Sequence, residues 1–145
     1  MKTVVVDASV AVKWFVPELD SAIAMQYLDG HRKLVAPGLI HAEIANVMWK
    51  LRHRGLLERD AALGIVAHFL SLPLEIHHSE SIIAPALEIA LATKCTVYDC
   101  LYLALAIDLD AIVVTADRRW VNSLKKSPFA DFIRLLEQQD EVDGV

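Results

Sequence analysis

Two short runs, Val4-Val5-Val6 and Ile112-Val113-Val114, are β-branched at every position. A strand with one wet face alternates apolar and polar side chains. A strand apolar throughout is covered on both faces, as in parallel sheets flanked by helices. Each run drives into an acid: Asp7 directly, and Asp117 through Thr115 and Ala116. In open α/β sheets, sites form beyond the carboxyl ends of strands, where the strand order reverses. The feature that dictates a buried sheet therefore also marks where chemistry is expected.

The rest of the pattern fits one α/β domain over residues 1–136. Strands are expected over 2–6, 33–36, 74–77, 111–115 and, as an edge, 132–136. Helices are expected over 10–15, 18–28, 58–70, 97–107 and 118–125. A long helix is predicted from Pro37 to about Arg54, closed by Gly55, because proline suits a first turn and glycine the residue after the last. Ser79 or Ser81 is expected to open a helix running to Thr93. Strands alternating with helices imply parallel βα units and a sheet with helices on both faces. At 145 residues, such a chain buries about two thirds of its unfolded surface and needs no staples.

Four acids stand out. Asp7 and Asp117 close strands. Glu43 lies within the apolar stripe Ile40, Ile44, Val47, Met48 and Leu51, not opposite it. Asp99 lies near the start of VYDCLYLALAI, so apolar that most of its faces must be buried. An unpaired buried carboxylate costs several kcal/mol or shifts its pKa to neutralise, and Lys13 and Lys94, though near in sequence, cannot serve four acids. A divalent cation resolves the conflict. An all-oxygen donor set favours Mg²⁺ or Mn²⁺. Singly, each acid has a plainer reading: Asp7, Asp99 and Asp117 as helix N-caps, Glu43 as a side chain snorkelling at its stripe's edge. Ser9 and Thr115 flank the outer acids as D-A-S and T-A-D, their hydroxyls placed for a metal-bound water, a phosphate oxygen or the local backbone. Asn46, about one turn on, is placed to orient Glu43. His41 is a candidate base or a structural histidine, and Trp14, Trp49 and Trp120 read as core or interface.

Composition removes other classes. Cys95 and Cys100 lie in apolar context and read as reduced thiols, and the six histidines show no zinc-site spacing. The longest apolar region is interrupted by Asp108 and Asp110, which argues against a membrane span; a cytoplasmic protein is the expectation. The net charge is −5, and an acidic balance normally speaks against nucleic acid. Much of it, however, sits in an acidic tail over 137–145, expected to be flexible, with Glu137, Asp140, Glu141 and Asp143.

Four segments, VVVDASVAVKWF, HAEIANVMWK, TVYDCLYLALA and IVVTAD with Trp120 after it, together resemble the PIN-domain ribonucleases, most of all the VapC-type toxins of toxin–antitoxin pairs. They occur in the family's order and span residues 4–120. The resemblance implies a three-layer α/β/α PIN-like fold with a mainly parallel sheet. It implies a metal-dependent endoribonuclease with Asp7, Glu43, Asp99 and Asp117 as its acidic quartet. On that reading Asp7 and Asp99 hold the principal Mg²⁺ or Mn²⁺, and Asp117 completes the site or binds a second ion through water. Glu43 orients or deprotonates the attacking water, with Ser9 and Thr115 in auxiliary positions. Lys50, Arg52, Arg54, Arg118 and Arg119 are the expected basic rim. The implied partners are RNA, a cognate antitoxin and a second copy of the chain, the apolar segment AALGIVAHFL offering surface for one of them. Cys100 stands where the family usually has a small residue such as alanine. The competing reading is a PIN-fold module that binds protein without catalysis. An aspartyl-phosphate mechanism at Asp7 is disfavoured, since it needs a second acid where Ser9 stands.

Overall fold

The computed structural model describes residues 1–137. Residues 138–145, and with them nearly all of the acidic tail, lie outside the described residues. The chain runs β1 (Lys2–Val6), α1 (Ala8–Ala11), a 3-10 turn (Val12–Trp14), α2 (Ser21–Gln26), β2 (Arg32–Pro37), α3 (Leu39–His53), α4 (Arg59–Ser71) and β3 (Leu74–His77). It continues through α5 (Ile83–Ala92), α6 (Val97–Asp108), β4 (Ile112–Thr115), α7 (Arg118–Ser123) and β5 (Ile133–Leu135). The five strands form one sheet in the order β3-β2-β1-β4-β5, every neighbouring pair parallel.

This order explains the apolar runs. β1 is central, and Val4, Val5 and Val6 are essentially inaccessible, as are Val113 and Val114 of β4. From β1 the chain steps outward to β2 and β3, then returns to β4 and moves on to β5. Right-handed crossovers then place α1–α4 on one face and α5–α7 on the other, giving the expected three layers. α1 packs against α3, and α6 spans β1, β2 and β4. The order reverses between β1 and β4, so Asp7 and Asp117 emerge at the switch point. Among the described residues no single helix is long and apolar enough to cross a membrane.

Some boundaries differ from the sequence reading, for local reasons. Pro37 closes β2, paired with His77, rather than opening α3; the Gly38 amide extends the pairing to the His77 carbonyl at 3.0 Å. A proline fits either place, since each leaves its missing N–H unneeded. The helix expected over 10–15 is the single turn α1 tightened into the 3-10 turn. The helix expected over 18–28 shortens to α2, because Asp20 takes a left-handed conformation (φ 65°) in front of it. Ser79–Ser81 form a separate 3-10 turn and do not cap α5. α3 ends as expected at Gly55, with φ +74°. Its amide bonds to Arg52 and that of Leu56 to Leu51, both at 2.9 Å, the paired closure that satisfies a helix's last carbonyls. Both cysteines are free thiols; Cys100 is buried, which pushes its thiol up to about 12.

Candidate active site

The site is built at the carboxyl end of the sheet. Asp7 leaves β1 buried, its backbone amide bonded to the Val114 carbonyl at 3.1 Å. It occupies the N-cap position of α1 without capping it. Its Oδ2 instead accepts the Ser9 hydroxyl at 2.6 Å and the Thr115 hydroxyl at 2.8 Å. Those hydroxyls are oriented in turn. Ser9 Oγ accepts the Ala116 amide at 2.9 Å, and Thr115 Oγ1 accepts the Asp117 amide at 3.1 Å. D-A-S and T-A-D, over a hundred residues apart, thus interlock around one carboxylate oxygen. Thr115 is fully buried, and both hydroxyls bear on the site through their bonds to Asp7.

The other acids arrive on helices. Glu43 sits in the second turn of α3, half-buried. Its Oε1 accepts the Tyr102 hydroxyl at 2.6 Å. Asp99 lies in the first turn of α6, which Thr96 caps by accepting the Asp99 amide at 3.2 Å. The cap is therefore Thr96, and the Asp99 carboxylate is left free for other work. Asp117 is a helix cap: its Oδ1 accepts the Trp120 amide at 3.1 Å and starts α7. It is the exposed member of the four.

Electrostatics ties these acids together. Burial raises Asp7 above the usual carboxylate range, against the lowering pull of the two hydroxyls. Burial also raises Glu43, which the Tyr102 bond opposes and the charges of Asp7 and Asp99 reinforce. Asp99 is raised to about 6, first by burial, then by the charges of Asp7 and Asp117. Each acid is thus coupled to another of the four, and among the described residues no cation relieves the three raised ones. Among the described residues no three His, Cys, Asp or Glu side chains form a ready-made metal cage. The donor set still fits a hard divalent cation. Its ligating atoms are oxygens without thiolate or imidazole, and Mg²⁺ needs only one or two carboxylates while keeping several waters.

Tyr102 was not singled out in the sequence. Its ring is buried in the core of α6, and only its hydroxyl reaches the site. Burial, followed by the charges of Asp7 and Glu43, drives its own ionisation far above the normal range, so it acts as a fixed donor. Tyr102→Phe is expected to cost about 1–3 kcal/mol, the scale for leaving a buried polar group unpaired. Urea unfolding at neutral pH measures it, and the loss shrinks at lower pH, where Glu43 takes up a proton.

The remaining candidates fall elsewhere. Asn46 is exposed, and it is Tyr102 that holds Glu43. His41 is exposed and packs edge-on against Phe69. Trp120 is core, Trp14 anchors its indole on the Ala24 carbonyl at 2.8 Å, and exposed Trp49 stacks on His53. Of the basic rim, Arg52 is paired with Glu58 and Arg118 with Glu137.

Residues 4–125 match the PIN domain family. Ribonuclease VapC3 of Pyrobaculum aerophilum is 33% identical over 117 residues, which cover 79% of this chain and 89% of that relative. Among solved structures, PAE2754 from Pyrobaculum aerophilum has a TM-score of 0.71 at 23% identity, covering 94% of this chain and 85% of its own. VapBC2 from Rickettsia felis, solved bound to a DNA fragment from their promoter, has a TM-score of 0.65 at 16% identity, covering 92% and 98%. At these identities the two structures show a shared fold.

Proposed function

The chain belongs to the PIN-domain family, among the VapC-type ribonucleases, and from that premise we propose that it is a divalent-metal-dependent endoribonuclease acting as the toxin of a toxin–antitoxin pair. The observation that carries the reading is the coupling of the four acids. Asp7, Glu43 and Asp99 are raised together, and Asp117 adds to Asp99. A cluster this reluctant to ionise suits a divalent cation better than a structural role.

In this reading Asp7 and Asp99 hold the principal ion, and Asp117 completes the site with the oxygen its cap leaves over. Bound Mg²⁺ or Mn²⁺ would supply Lewis-acid stabilisation of the phosphoryl oxygens and lower the pKa of a coordinated water. Glu43, steadied by Tyr102, orients the attacking water and takes its proton. Ser9 and Thr115 keep Asp7 at a fixed angle. RNA is polyanionic, so the acid cluster must be loaded before a strand can settle on it. The partners are RNA, an antitoxin and a second copy of the chain, in the cytoplasm. Exposed Leu63 and Leu70 on α4, and Ile83, Leu87 and Leu91 on α5, supply apolar surface for the protein partners.

The direct test is cleavage of single-stranded RNA by the purified protein. Cutting with Mn²⁺ that stops in excess EDTA supports the reading. Undiminished cutting in EDTA, or none with either metal, defeats it.

A further inference from the structure

A groove of about 540 Å³ opens beside the acid cluster between the α1 turn and α3. Its inner end is formed by Ser9 and Ala116, the pair bonded to each other within the Asp7 network. Val12, Val47 and Leu51 make an apolar lining. Lys13 and Arg54 are its cations and Glu18 its one acid. We propose that this groove seats the nucleotide next to the scissile phosphate of a single-stranded RNA, with Lys13 and Arg54 gripping the flanking phosphates. The inference rests on the nuclease reading above and adds to it a substrate path, a new binding residue in Lys13, and a place on that path for Arg54 of the expected rim.

Three observations favour this occupant. The first is continuity, because Ser9 lines the groove and also bonds Asp7. A strand cut at Asp7 must run along an adjoining surface, and this one shares a residue with the site. The second is the state of the cations. Arg52, Arg59, Lys33 and Arg118 are committed to Glu58, Asp60, Glu75 and Glu137. Among the described residues no carboxylate pairs with Lys13 or Arg54. Two free cations beside a raised acid cluster, in a chain of net charge −5, match a polyanion better than an acidic or neutral surface. The third is that the Lys13 side chain and the Arg54 backbone are held in place. The Lys13 ammonium is fixed by the Leu19 carbonyl at 2.6 Å, which leaves it two donors. Arg54 is the C-cap of α3, inside the closure made by Gly55 and Leu56. The volume lies within the range that encloses small organic ligands. The apolar lining suits a base or ribose face between two phosphate contacts.

Lys13→Gln, Arg54→Gln and the double variant test this. Lys33→Gln, at the opposite end of the sheet and already paired with Glu75, serves as control. Binding of a short fluorescein-labelled single-stranded RNA of randomised sequence is read by anisotropy in the Asp99→Asn background. Each groove variant should weaken binding several-fold and flatten the salt dependence, by about 0.7 in log–log slope per charge removed. In the cleaving protein KM should rise with kcat nearly unchanged. Mn²⁺ binding should stay as in the parent, and the control should match the parent throughout. Unchanged RNA affinity, slope and KM in both single variants, each shown to be folded by its melting curve, would overturn the proposal. So would variants that lose a protein partner while keeping RNA affinity. A parent that fails to cut RNA refutes the nuclease reading instead, and the anisotropy result remains separate from it.

Discussion

Asp7→Asn and Asp99→Asn are each expected to lower RNA cleavage by about 10²–10³-fold, the scale lost when one preorganised group is removed from a reacting centre. Both variants should stay folded. An amide at position 7 can still accept the Ser9 and Thr115 hydroxyls through its oxygen, so the D-A-S and T-A-D lock survives. At position 99 the substitution removes a charge that Asp7 and Asp117 repel. Asp99→Asn should therefore melt higher than the parent when no metal is present, while cutting far more slowly. Gain of stability with loss of activity marks a functional cluster held against its own repulsion. Single-turnover cleavage and a thermal melt in EDTA measure the two halves.

The second large effect is a reversal of pH dependence by metal. The folded Asp99 titrates at about 6 against an ordinary 3.8, and Asp7 and Glu43 are raised as well. Between those values the folded state binds more protons than the unfolded chain, so stability falls as pH rises. The contribution of Asp99 is full below about 4 and is lost as pH rises through about 6, and Asp7 and Glu43 act in the same direction. Asp29 and Glu75, lowered mainly by hydrogen bonds to His31 and Lys33 respectively, act in the opposite sense, but both are exposed and surface pairs contribute little. A divalent ion competes with the protons. Its stabilisation should be slight at pH 5 and large at pH 7.5, reaching about 2.7 kcal/mol at a hundredfold excess over Kd. That corresponds to roughly 5–10 °C in melting temperature for a chain of this size. Melting curves with and without Mn²⁺ across this range show whether the two slopes have opposite sign.

Much of this was legible because the constraints were local. Unbroken β-branched runs at Val4–Val6 and Ile112–Val114 admit little besides a doubly covered sheet, so the acids ending them had to emerge at its carboxyl edge. Glu43 was legible from its place inside an apolar stripe, and Asp99 from the apolarity of the helix around it. What escaped was pairing across the fold. Tyr102 looks like any core residue of α6, and its partner Glu43 lies 59 residues away. No spacing rule links them. Nor could the sequence show that Ser9 and Thr115 converge on the same oxygen of Asp7, or that Arg54 is left free while Arg52 is engaged. Those facts depend on how α1, α3 and the β4 end come together. Pro37 was ambiguous in principle, because strand ends and first helical turns tolerate proline for the same reason.

Calorimetric titration of Mn²⁺ into the metal-free protein at pH 7.5, for the parent and for Asp99→Asn, probes the central claim that the coupled acids form one divalent-cation site. The account predicts saturable binding by the parent with release of protons, and at least a tenfold weaker affinity in the variant, the scale of losing one favourable contact of about 1.4 kcal/mol. Parent protein that takes up no Mn²⁺, or a variant that binds it as tightly as the parent, would contradict it.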